Sequence, residues 1–288
     1  MTADIDKAYR HCHELARRHY ENFPIASLLI PKNKRKYFFA LYAFMRTADD
    51  FADNATLPVE QRLHLLMQWQ RRLDACYEGT ADEPIFIALR ATVDDLQLPK
   101  AHLDALLNAF KVDLFKNRYR TFDELLEYCS MSANPVGRLV MHVLGYAGHP
   151  KFKIMTEASD AICTGLQLAN HWQDLFIDLE KDRLYLPMED MQRFGYSVDN
   201  WKQKLMNDAY FRLMAFQIDR SDFFFQKGKT LFQHLNFPER LEIKLIWLGG
   251  QRILRKQRAV KYDMVHRRPE INWFDKFWML SQLVRPRL

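Results

Sequence analysis

Glycine is scarce in this chain: 9 residues in 288, under half the usual share of about 7%. That shortage argues against folds built from many tight turns, such as sandwiches and propellers. It argues equally against a parallel sheet with glycine-rich phosphate loops. There is no internal repeat, no Ser/Gly-rich linker and no low-complexity stretch, so collagen-like and disordered classes are excluded. No run approaches the ~18 apolar residues that span a bilayer. Asp4, Asp6 and Glu14 interrupt the amino-terminal segment, so no signal peptide is expected. The four cysteines (Cys12, Cys76, Cys129, Cys163) form no Cys-x-x-Cys pair and read as reduced thiols of a cytosolic protein.

Apolar side chains make up 48% of the sequence and charged ones 27%, enough for a sizeable core. A mass of 34.4 kDa fits one large domain or two small ones, and the lack of a linker favours a single domain over 1–288. The pattern is helical almost throughout. Leu103, Leu106, Leu107, Phe110 and Leu114 recur at three- and four-residue steps, one face of an amphipathic helix. Thr121-Phe-Asp-Glu124 is a capping-box signature, and Pro58, Pro99, Pro150 and Pro238 stand beside helix starts or turns. Strand-like alternation is short and rare, so the expected class is all-α. Ser132-Ala-Asn-Pro-Val-Gly137 interrupts an apolar helical run; a kink opening onto a cavity and a plain boundary between two helices both explain Pro135.

Two acidic stripes carry the chemistry. Asp49 and Asp53 follow the apolar segment Tyr37 to Met45 and, four residues apart, project from nearly one face of a helix. Like charges at that spacing repel; either a divalent cation offsets the repulsion, or the pair is a solvated acidic face. Gln167, Asn170, Asp174 and Asp178 fall at steps of three, four and four within Gly165 to Leu179. Each four-residue step drifts by only about 40°, so they form one polar stripe amid Leu166, Leu168, Trp172, Leu175, Phe176 and Ile177. Polar groups in such company are costly to bury unless paired or coordinated. Two such stripes suggest facing walls of a cavity holding magnesium and an anion, since hard oxygen ligands suit magnesium bound jointly with substrate phosphates. Magnesium in that setting neutralises a departing diphosphate. The carbocation left behind needs a dry aromatic and aliphatic pocket, for which 21 Phe, 12 Tyr and 6 Trp supply material.

At these residues the sequence resembles the squalene/phytoene synthase family of all-α isoprenoid synthases and, within it, the hydroxysqualene synthases of bacterial hopanoid pathways. The resemblance covers nearly the whole chain and rests on four stretches in order: His19-Tyr-Glu-Asn-Phe-Pro-Ile-Ala-Ser27, Leu41 to Asp53, Tyr128 to Arg138, and Gln167 to Asp178 followed by Arg183-Leu-Tyr-Leu-Pro187. It implies a single-domain helical isoprenoid-synthase fold with a central cavity and a magnesium cluster. Asp49 and Asp53 would ligate metal on one wall, with Asn170, Asp174 and Asp178 opposite. His19 and Arg46 would lie near the diphosphate and Gln167 beside the metal shell; Gln173 and Arg183 complete the implied substrate contacts. Tyr42 and Tyr185, with Arg46, would serve catalysis by stabilising cationic intermediates or positioning a nucleophile.

The departures from the family pattern are informative. Head-to-head condensing members usually carry Arg immediately before the middle acid of the second motif, where this chain has Gln173, and Glu before its last acid, where it has Ile177. The serine-bearing stretch of phytoene and dehydrosqualene synthases reads Tyr20-Glu-Asn22 here. Losing one cation and one anion around the diphosphate suggests a site that no longer manages two diphosphate substrates at once. That fits an enzyme that ionises presqualene diphosphate and lets water capture the rearranged cation, giving hydroxysqualene without NADPH. Two rivals stand beside it: a condensing synthase that joins two prenyl diphosphates, and a non-catalytic assembly factor of the same fold, which would not need four motif acids.

The net charge of +6, with an isoelectric point near 9.0, concentrates between Arg252 and Arg268, where seven Lys or Arg face one acid, Asp263. A solvated helix face, a diphosphate lid and attachment to anionic lipid are the readings of that run; nucleic acid is not an expected partner, since no reader motif accompanies the charge. Trp273, Phe274, Phe277 and Trp278 either pack on the bundle or lie at a membrane surface. The expected location is the cytoplasm, with peripheral contact at the inner membrane face and handover from a presqualene diphosphate synthase as open alternatives.

Overall fold

The computed structural model describes residues 2–18 and 30–283. Thirteen α-helices occur among them: α1 Thr2–Arg18, α2 Lys32–Asp53, α3 Val59–Tyr77, α4 Pro84–Leu96, α5 Lys100–Val112, α6 Phe122–Ser132, α7 Asn134–Leu144, α8 Phe152–Gln173, α9 Met188–Phe194, α10 Val198–Lys202, α11 Asp208–Gly228, α12 Phe237–Ala259 and α13 Trp273–Leu283. Strand pairing among the described residues is limited to an isolated bridge between Arg118 and Leu184. Prolines mark the starts, as expected: Pro58 and Pro99 are the N-cap residues of α3 and α5, and Pro238 sits in the first turn of α12, where a missing N–H costs no bond.

Packing divides the chain into two compact units, one of residues 1–115 with 135–152, the other of 116–134 with 153–288. In the first, α2 packs on α1, α3, α4 and α5. Ala40, Ala43, Ala48 and Ala52 are wholly or almost wholly buried along it, and such small side chains allow close helix approach. Phe44, Trp69 and Phe86 interlock with ring centroids 4.6–6.0 Å apart, and the Trp69 indole N–H donates to the Phe44 carbonyl at 3.3 Å. The buried hydroxyls are satisfied: Tyr9 and Thr92 share a hydrogen bond of 3.1 Å, and Thr92 also donates back to Ala88.

In the second unit the Thr121 half of the capping box forms as the sequence predicts, and the return bond falls one residue earlier, on Arg120. Thr121 Oγ1 accepts from the Glu124 N–H at 3.2 Å, and Glu124 reaches back to the Arg120 N–H at 2.8 Å. That backbone donor, with the Arg120 guanidinium behind it, holds the Glu124 carboxyl down at about 2. The question at Pro135 resolves as a boundary: α6 ends at Ser132, Ala133 alone intervenes, and α7 starts at Asn134. Trp172 is fully buried and donates to Ser221 Oγ at 2.8 Å, tying α8 to α11. Gly250 shows why glycine survives in these helices: a Cβ there would fall 2.3 Å from Phe225 Cζ.

Candidate active site

The first acid motif sits on the side of α2 that the core does not use. Ala40, Leu41, Phe44, Ala48 and Ala52 face inward. At 100° per residue, Tyr42, Arg46, Asp49 and Asp53 lie together on the opposite side; Tyr42, Arg46 and Asp49 are half-buried there and Asp53 is exposed. Arg46 forks to two acids, Asp49 at 3.2 Å and Asp50 at 2.7 Å. Asp50 and Asp53 also stand in the last turn, which holds no basic residue. Acids at the negative end of a helix dipole cost roughly 0.3–1 kcal/mol each, so this helix end is built to receive positive charge.

The second motif is shorter in helix than its pattern predicts. The stripe was expected on a helix reaching Leu179, whereas α8 ends at Gln173 and a 3-10 turn covers Asp178–Lys181. Hydrogen bonds from Asp174 N to Asn170 O (2.9 Å) and from Asp178 N to Asp174 O (2.8 Å) carry the four-residue register across the break. Gln167, Asn170, Asp174 and Asp178 therefore stay on the accessible edge, while Leu168, Ala169, Trp172, Leu175 and Phe176 are buried. Arg183 is half-buried and its N–H holds the Asp178 carbonyl at 2.9 Å.

Gln173 departs from its expected role. It is only 5% exposed, and its amide donates to the Pro269 carbonyl at 2.6 Å. It does not reach outward for a ligand; it anchors a strap whose preceding residue, Arg268, pairs with Asp174 at 2.7 Å. Arg268 also reaches Glu270 at 2.7 Å. Burial alone would pull its guanidinium down, but the hydrogen bonds and charges of Asp174 and Glu270 outweigh that and hold it above its ordinary value. In the sequence Arg268 is one charge of a basic run, and nothing local signals a partner 94 residues away.

An aromatic cluster backs the second motif. Tyr185 stacks on His171 with centroids 3.7 Å apart and planes 15° from parallel. Tyr119 and Tyr128 lie 5.6 and 5.8 Å from Tyr185, and Gln167 Nε2 is 3.3 Å from His171 Nε2. Bonds from Leu184 N to Asn117 O and from Met188 N to Tyr119 O pin the segment that carries Tyr185. Burial drives the His171 imidazole down to about 3, so the ring is neutral at physiological pH. A neutral π face attracts a cation; an imidazolium would repel it. His171 was not singled out from sequence, although it lies inside the second motif.

The metal expectation fits this donor chemistry in a specific form. Among the described residues no group of three or more His, Cys, Asp or Glu side chains converges into a closed protein cage. Each motif offers a pair of carboxylates, and magnesium is commonly held by one or two carboxylates plus substrate phosphates. His19 and the motif it opens lie outside the described residues.

Residues 16–275 match the squalene/phytoene synthase family. The chain belongs to that family. Members are enzymes that act on prenyl diphosphates and generally use a divalent metal with them. It is 32% identical over 253 residues to a hydroxysqualene synthase of Sinorhizobium fredii, covering 86% of this chain and 84% of the relative. It is 30% identical over 277 residues to a 15-cis-phytoene synthase of Synechocystis, covering 92% and 81%. The crystal structure of squalene synthase HpnC from Alicyclobacillus acidocaldarius superposes with a TM-score of 0.83 at 34% identity, covering 90% of this chain and 96% of that one. The all-α class expected from sequence is the helical isoprenoid-synthase fold of these family structures.

Proposed function

We propose that this protein is a hydroxysqualene synthase that ionises presqualene diphosphate and lets water capture the rearranged cation. The observation that carries the reading is the environment of Asp174. The residue before it is a neutral, buried glutamine bonded to Pro269, and among the described residues Asp174 pairs with the Arg268 guanidinium. That supply of positive charge suits one departing diphosphate.

In this reading Asp49 and Asp53 on α2 would each be magnesium ligands, as would Asn170, Asp174 and Asp178 at and beyond the end of α8. When bound, the metal neutralises the charge that builds on the leaving group. Arg46 and Arg268 add guanidinium donors, which match phosphate oxygens in a fork. The C–O bond breaks with its electron pair going to diphosphate, and the cation rearranges beside the Tyr185–His171 wall. Water adds its oxygen to the cation and loses a proton, so the products are hydroxysqualene, diphosphate and a proton. No reductant enters the balance.

The test is product analysis with magnesium and without NADPH. Presqualene diphosphate should give hydroxysqualene, while farnesyl diphosphate alone should give no product. A condensing synthase is the second reading, favoured by the likeness to a phytoene synthase and by the guanidinium that Arg268 restores beside Asp174. Formation of presqualene diphosphate, squalene or a carotenoid precursor from an allylic diphosphate would establish that reading instead.

A further inference from the structure

Helix α13 is amphipathic in the reverse sense. Its inward side carries Asp275, Met279 and Gln282, exposed by only 1%, 6% and 8%. Its outward side carries Trp273, Phe274, Phe277 and Leu280, exposed by 66%, 78%, 52% and 51%. At 100° per residue Trp273, Phe277 and Leu280 fall within about 60° of one another, opposite Asp275 and Gln282. The Trp273 and Phe277 rings meet edge to face at 4.5 Å, a continuous aromatic ridge rather than scattered side chains.

Buried charge fixes that orientation. Asp275 accepts from Arg252 Nε at 2.6 Å, pairs with Lys256, and accepts from the Asn272 N–H at 2.8 Å, while its own N–H donates to Asn272 Oδ1. A carboxylate so enclosed is stable only with its partners, so α13 cannot roll to hide its aromatic side without stranding three charges. Contiguous exposed apolar surface of this kind marks an interaction site.

Basic charge gathers at the start of α13. Arg252 and Arg255 lie over the Trp278 ring at 5.2 and 5.1 Å. At the start of α13 a cleft of about 540 Å³ is lined by Arg252, Arg255, Lys256, Arg267 and Arg268, with Glu270 as its acid. We infer that α13 and this basic cleft form a docking surface for an anionic lipid bilayer, with the Trp273–Phe277–Leu280 ridge entering the interface and Arg255 and Arg267 of the cleft taking acidic headgroups. Tryptophan and phenylalanine favour the headgroup boundary, and each basic side chain near an anionic leaflet adds attraction that salt weakens. A second copy of the chain fits worse, because a two-fold contact sets each patch against itself and would bring Arg255 and Arg267 against their own kind. Among the described residues no helix is long and apolar enough to cross a membrane, so the contact lies in the plane of the interface.

The full chain should be tested by co-sedimentation with phosphatidylcholine vesicles and with vesicles containing about 30% phosphatidylglycerol. The anionic vesicles should bind at least about tenfold more protein, and about 0.5 M salt should reverse most of that excess. The double variant Trp273→Ser/Phe277→Ser should lose about tenfold in partition with unchanged circular dichroism and unfolding. Arg255→Glu/Arg267→Glu should abolish the preference for phosphatidylglycerol. Failure of the wild type to bind anionic vesicles, or undiminished binding by the serine variant, overturns the inference. So does a vesicle-free dimer that the serine variant dissociates.

Discussion

Replacing Arg268 by alanine should move two observables in opposite directions. Arg268 and Asp174 meet at 2.7 Å with side chains 30% and 18% exposed. At an effective dielectric of about 20, two unit charges 4 Å apart attract by about 4 kcal/mol before desolvation; after that offset a half-buried pair contributes about 1–2 kcal/mol. The exposed partner Glu270, 68% exposed, adds no more than about 0.5 kcal/mol. The metal-free variant should therefore unfold about 2–5 °C below wild type. The same pairing energy opposes any cation that takes Asp174, so its removal should tighten magnesium binding about 5- to 30-fold. Thermal unfolding in chelator, then across a magnesium titration, reads both effects, and Arg268→Lys should fall between wild type and the alanine variant. If Arg268→Ala melts like wild type in chelator and shows the same magnesium dependence, the ion pair does not govern this carboxylate.

His171 is held neutral by burial, down at about 3, whereas an unfolded histidine titrates near 6.5. The unfolded chain binds the extra proton in that window, so stability should fall as pH drops from about 6.5 toward 3. His171→Phe should remove about 2 kcal/mol of that loss by pH 5, read as urea unfolding at pH 7.5 and pH 5. Gly250→Ala should cost about 1–3 kcal/mol through overpacking against Phe225 and Leu166, visible as a lower urea midpoint at unchanged slope. Asp53→Asn should abolish turnover while shifting stability by no more than about 0.5 kcal/mol, because the acid is exposed at the negative end of α2. Gross unfolding of that variant would make Asp53 structural.

What the sequence disclosed was what depends on local spacing. The Thr121 cap on the Glu124 N–H, the proline-marked starts, and the shared face of Asp49 and Asp53 follow from residues within two turns of each other, and all appear as expected. The stripe from Gln167 to Asp178 kept its register, although the helix beneath it ended at Gln173. Contacts over long separations were not legible. Gln173 looked like a ligand contact because its partner, the Pro269 carbonyl, lies 96 residues on. Arg268 reads from sequence as one charge of a basic run, and for α13 the sequence leaves packing on the bundle and a membrane surface both open, because composition does not tell which side of an apolar helix turns inward. His171 passed unnoticed because its neutrality comes from burial, which a single chain position does not advertise.

The interleaving of the two units has a consequence for synthesis. The chain completes α1 to α5, then lays down residues 116–134 of the second unit before residues 135–152 return to the first. Those returning residues bury Leu139 and Val143 in the first unit's core, and the Leu144 carbonyl accepts from Lys34 Nζ at 2.6 Å. A nascent chain stopped near residue 115 thus presents an unfinished core that cannot close by itself. The first stable product on the ribosome should appear only once α7 has emerged, and until then the half-built unit is the stage most open to aggregation or chaperone capture.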